Sequence, residues 1–162
     1  MEIIAVYQES RIKTYGFQML SHLAMIELSC PFSEIITLGK IFTQGRYKAV
    51  RPKFMIAQES EHESSFIFCL PIQESKDFHT YLKRTSLLSV HQYSEPVGII
   101  FFQGPHFGDR YGIASAIFSA LHKTRINILA SGFSLSSAYL VLGQDDMGRA
   151  EDMLTQTFDI AR

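Results

Sequence analysis

Two hydrophobic periods alternate along this chain, one of strand type and one of helix type. The apolar run Leu23–Cys30 has strand length and stops at Pro31. Ile35, Leu38, Ile41 and Phe42 then recur at helical spacing, with Ser33 at the N-cap position and Gly45 placed to end the helix. Phe54–Ala57 and Phe66–Leu70 are short apolar runs joined by the polar QESEHESS, the pattern of a hairpin. In ESKDFHTYLKR, Phe78 and Leu82 share a face, Ser75 is the expected N-cap, Asp77 lies in the first turn, and Lys83 and Arg84 close the last. Leu87–Tyr93 reads as a strand, and Ser94-Glu95-Pro96 as a boundary.

After that boundary the order begins again. Val97–Gln103 is a strand, and Ile113, Ala116, Ile117, Ala120 and Leu121 form one helical stripe. Strands follow at Asn127–Gly132 and Ala138–Leu142, then a helix opened by Asp145-Asp146 with Met147, Ala150, Leu154 and Phe158 on its apolar face. The predicted class is α+β: two ferredoxin-like βαββαβ modules, antiparallel sheets with the helices on one face. The first module is expected over 12–93 and the second over 97–162. The second lacks a last strand in this reading, and the strand-like Ile3–Tyr7, within residues 1–8, is expected to complete it. Ile12–Phe17 would pair with that strand across the Gln8-Glu9-Ser10 turn. Strands such as VGIIFF and AYLVL are apolar on both faces, so packing against another copy, as a homodimer or a larger homo-oligomer, is expected.

Charge and composition then remove classes of function. The 162 residues carry 15 basic and 16 acidic groups, a net charge of −1, with no block of like charge. Neither nucleic acid nor an anionic membrane is an expected partner. No apolar run has spanning length, and an acid at position 2 does not fit a signal peptide. Cys30 and Cys69 sit in apolar runs, as buried thiols of a cytoplasmic protein do. His22, His62, His79, His91 and His122 share no spacing that makes a metal site. No local nucleophile signature occurs, and GPHFGDRYG lacks the closing Gly-Lys-Ser/Thr of a phosphate loop. The chain reads as a non-enzyme with no metal and no cofactor.

The candidate chemistry lies in that same loop, Gly104–Gly112, between a buried strand and a helix start. Glycine-rich backbone leading into a helix offers N–H groups and the positive end of the helix dipole to a small anion or carboxylate. Gly112 serves either close approach of a ligand or a helix entry of unusual φ/ψ. Asp109 either holds a ligand ammonium or caps the helix. Asn127, at the start of a strand, is placed for an Asx turn out of the 123–126 connection. His106 belongs to the loop, as a site residue or as a solvated side chain. Ser131, Ser134, Ser136 and Ser137 make a hydroxyl-rich hairpin that either lines a pocket or is ordinary turn chemistry.

Asp109-Arg110-Tyr111-Gly112, the following helix Ile113–Leu121, Arg125-Ile126-Asn127-Ile128 and Asp145-Asp146 occur in the order and spacing of an ACT domain. Residues 97–160 resemble most closely the second of the paired ACT modules at the C-terminus of aspartate kinases. Residues 12–93 resemble the first by element order and by Ile41-Phe42, with Ser33 in place of the family's aspartate and Ile36 in place of its glycine. The resemblance implies a regulatory module that binds an amino acid or similar zwitterion at a module–module interface. It implies ligand contacts at Gly104, His106, Phe107, Asp109, Gly112, Ile113, Asn127 and Ile128. It does not imply kinase activity, since these residues carry no kinase domain. The rival expectation is a non-catalytic dimerisation module with a vestigial site.

Overall fold

The computed structural model of the protein describes residues 11–44, 47, 50–86, 88–105 and 107–160. Its strands are β1 (Ile12–Thr14), β2 (Phe17–Pro31), β3 (Phe54–Glu59), β4 (Glu63–Pro71), β5 (Ser89–Gln103), β6 (Ile128–Phe133), β7 (Ser137–Gly143) and β8 (Phe158–Ile160). Its helices are α1 (Ile35–Thr43), α2 (Ile72–Arg84), α3 (Ile113–Lys123) and α4 (Met147–Thr157). None of them is long and apolar enough to cross a membrane. The chain folds into two units: a continuous one, 20–99, and a split one formed by the residues before and after it.

The continuous unit has the order β2-α1-β3-β4-α2-β5, with strands arranged β3-β4-β2-β5 and antiparallel pairing of β4 with both β2 and β3. This is the ferredoxin-like arrangement expected from the alternation of periods. Even-numbered positions of β2 and β4 face the helices: Ile26, Leu28, Cys30, Phe66, Phe68 and Leu70 pack with Leu38 and Ile41 of α1 and Phe78 and Leu82 of α2. Cys69 points the other way and is fully buried, and burial pushes its thiol up to about 12.

In the split unit, the end of β5 leads through α3 to β6, β7 and α4, with β7 between β5 and β6. Ile100 and Phe102, Ala138, Leu140 and Leu142 cover one face, against Ile117 and Leu121 of α3 and Ala150 and Leu154 of α4. The start of β2 runs beside the end of β5: Tyr15 N–H donates to Gln103 O at 2.8 Å, and the Phe17 ring meets Phe102 edge-on.

Local expectations are corrected at four places. Ser94-Glu95-Pro96 is no break but the middle of β5, with a cis Glu95–Pro96 bond. Proline removes one donor from a strand and is tolerated where the ladder does not need it. Ser33 lies inside a 3-10 turn, Phe32–Glu34, and it is Glu34 that stands at the N-cap of α1. Helix α2 starts at Ile72, right after Pro71, so Ser75 is an interior residue whose hydroxyl donates to Ile72 O at 2.8 Å. The second module does have a last strand: β8, only three residues long, takes Phe158 out of the helix and pairs in parallel with β1 (Ile12 opposite Phe158, Thr14 opposite Ile160). Its brevity hid it, since three residues show no period. Ile3–Tyr7 and Gly45 lie outside the described residues.

Candidate functional site

The loop between β5 and α3 is held down at its first glycine. Gly104 is buried, and a Cβ added there would run into the Phe107 ring and the Lys13 carbonyl. Phe107 is itself buried in the core of the split unit, its ring edge-on to Phe102. This anchor lets the rest of the loop rise to Gly112, which enters α3 with φ of +88°. That left-handed backbone favours glycine. No side chain among the described residues caps α3. The N–H groups of its first turn have no intrahelical partner. Gly112, not Asp109, occupies the N-cap position; Asp109 is exposed in the turn before it.

A cavity of about 250 Å³ opens at this helix start. Gly112, Ile113 and Ala114 form its floor, and Phe107, Arg110 and Tyr111 one side. Phe133, Ser134 and Ser137, from the turn between β6 and β7, form the other. The two serine hydroxyls lie 2.6 Å apart, and Ser134 N–H donates to Ser137 O, which closes the turn on itself. Arg110 donates to Arg11 O at 3.2 Å, which lays its stem along the rim. Tyr111, 99% exposed, and Leu135, 81% exposed, leave an apolar border.

Of the residues expected to bind a ligand, the structure gathers Phe107, Gly112 and Ile113 around this cavity. Gly104 acts below it as a packing residue. His106 lies outside the described residues. Asn127 and Ile128 do not line it: Asn127 is exposed just before β6, and Ile128 lines a separate cleft of about 390 Å³ with Phe118 and His122. Arg110, Tyr111, Ala114 and Phe133 carried no signal in the sequence that set them apart as site residues. Ser134 and Ser137 had one, the hydroxyl-rich hairpin.

The corresponding place in the continuous unit is different. The 3-10 turn Phe32–Glu34 precedes α1, no glycine enters it, and Ile36 is 70% exposed. The Glu34 carboxylate accepts from the Thr37 hydroxyl at 2.8 Å over the first turn of the helix. The chain's own acid thus meets the helix dipole there. Among the described residues no three His, Cys, Asp or Glu side chains gather to hold a metal.

No family model and no curated protein matches the sequence. Solved structures do. The ligand-free regulatory subunit of aspartate kinase from Thermus thermophilus is similar over 90% of this chain and 99% of its own, at 14% identity and a TM-score of 0.72. A structure of aspartokinase alpha and beta subunits matches 89% of this chain and 97% of the other, at 18% identity and the same TM-score. Synechocystis aspartate kinase matches 94% of this chain with 28% of its own, at 15% identity and a TM-score of 0.75. The fold is that of aspartate kinase regulatory units, as the resemblance to paired ACT modules implied.

Proposed function

We propose that the protein is a regulatory subunit that binds a small zwitterionic effector, an amino acid or a close analogue, at the start of α3. The observation that carries this is the uncapped, glycine-entered helix start opening on a cavity of about 250 Å³ with Arg110 and two hydroxyls on its walls. The effector's carboxylate meets the first-turn N–H groups of α3, where the helix dipole favours negative charge. Its ammonium meets Asp109 or the Ser134–Ser137 hydroxyls, and its side chain lies among Phe107, Phe133 and Tyr111. The exposed Tyr111 and Leu135 border supports a site completed by a second copy of the chain, so that effector binding shifts an assembly between states that contact it differently. We assign the protein no catalytic role and place it in the cytoplasm.

The experiment is a thermal-shift panel of the twenty amino acids with the full chain. An effector at 100 times its dissociation constant stabilises by about 2.7 kcal/mol, a shift of several degrees. Absence of any shift at millimolar concentration, with an oligomer that forms regardless, moves the assignment to a dimerisation module with a vestigial site.

A further inference from the structure

A second cluster of titratable groups lies in the continuous unit, on the seam between α2 and β5. The His79 imidazole stacks on the Tyr93 ring, centroids 4.3 Å apart and planes 13° from parallel. The Tyr93 hydroxyl donates to Glu95 Oε2 at 2.7 Å and lies 2.8 Å from Ser75 Oγ. Lys76 Nζ meets the other oxygen of Glu95 at 3.0 Å. Three α2 residues one turn apart or less thus grip two residues of the same strand.

The Tyr93 face can attract a charged imidazole, but no acceptor is placed for the N–H that the charge would add. His79 Nε2 is buried without a hydrogen-bond partner. On α2 the charge that acts on it is the positive Lys83, while Lys76 is paired with Glu95 and Asp77 also lies on this helix. From β5 it faces Tyr93, and the one acid there, Glu95, is committed to the Tyr93 hydroxyl and Lys76. Tyr47 reaches α2 on the other side, against Phe78 and Tyr81. Burial, and then Lys83, hold the His79 imidazole below its ordinary value of 6.5. A proton on Nε2 creates a buried N–H donor with no acceptor, which costs the full desolvation of that group.

We propose that the His79–Tyr93 stack is a pH-sensitive clasp: neutral His79 holds α2 against β5, and its protonation lets α2 lift from that strand. The sign follows from linkage. The folded form binds the proton less well than the unfolded one, so the clasp is fully closed above about pH 6.5 and weakens as pH falls below it. Of the two units, it is then the continuous one that senses acidification, through its own helix and without a ligand.

The test is amide hydrogen exchange of the full chain at about pH 7.5 and about pH 5.5, expressed as protection factors so that intrinsic exchange chemistry cancels. Protection in 72–84 should fall by up to about tenfold, the limit for a measurement one pH unit below the free imidazole value, while β7 amides keep theirs. His79→Phe keeps the stack, cannot take the proton, and should show equal α2 protection at both pH values. Tyr93→Phe keeps the stack but loses the hydroxyl bridge, so its α2 protection should be lower at both pH values with the pH response intact. An unchanged wild-type α2 across this range overturns the proposal, as does an equal fall in His79→Phe. An NMR titration of the wild-type imidazole decides independently of any variant, since a pKa at or above the free value also overturns it.

Discussion

The hydrogens of Gly104 face the ring of Phe107 so closely that no methyl group fits between them. The contact ties the start of the site loop to the core, because Phe107 also packs edge-on to Phe102. Gly104→Ala should force Phe107 from its place and lower stability by about 1–3 kcal/mol, the usual cost of overpacking. Thermal denaturation measures it. An unchanged melting temperature would mean that the ring swings away freely and that the loop has no anchor.

Gly112 makes the opposite case. An added Cβ there meets nothing within 4 Å, so only its φ of +88° opposes substitution. Gly112→Ala should cost about 1–2 kcal/mol, and Gly112→Asn less, since asparagine visits the left-handed region more readily. Gly112→Val should also abolish any effector-induced thermal shift while leaving the oligomer intact. If chemical denaturation ranks Asn below Ala, the backbone explanation is wrong.

Arg125 holds a left-handed conformation, φ of 56°, just after α3. Ile126 N–H donates to Leu121 O and Arg125 N–H to His122 O, the pattern of a helix stop that usually employs glycine. Arg125→Gly should therefore stabilise the protein by about 0.5–1 kcal/mol through relief of that strain. A melting temperature at or below wild type would show that the arginine side chain contributes more than its backbone costs.

Glu95 sets a second pH dependence, distinct from that of His79. The Tyr93 hydroxyl, and then Lys76, hold its carboxyl below the ordinary 4.5. Its folded form therefore prefers the ionised state, and the stability it contributes is present above about pH 4.5 and lost as pH falls through the lowered value. Denaturant titrations between about pH 5 and about pH 3 should show a shallower loss for Glu95→Gln than for wild type. Parallel curves would remove Glu95 from the clasp.

Much of this fold was legible because amphipathic periods are local. Ile113, Ile117 and Leu121 spell a helix face wherever the chain goes, and Phe66, Phe68 and Leu70 a buried strand face. The twofold repeat of elements followed from those periods alone, and so did the glycine-punctuated entry to α3. Ends and pairings were less legible. Pro96 reads as punctuation in a linear chain, yet a strand tolerates it where no ladder donor is required, and only the neighbouring strands determine where that is. Three-residue strands such as β1 and β8 carry no period at all and exist only by pairing with each other.

The site divides along the same line. Residue type and spacing by themselves determined that Gly112 leads into a helix, whose first-turn N–H groups lack intrahelical partners. Tertiary structure alone decided which residues surround that point. It turned Gly104 into a packing glycine under Phe107, carried Asn127 and Ile128 away from the cavity, and brought Phe133, Ser134 and Ser137 in from a distant hairpin. Local backbone preferences are properties of a few neighbouring residues, whereas a cavity is the space left between elements distant in sequence, and its walls are settled by how their cores pack.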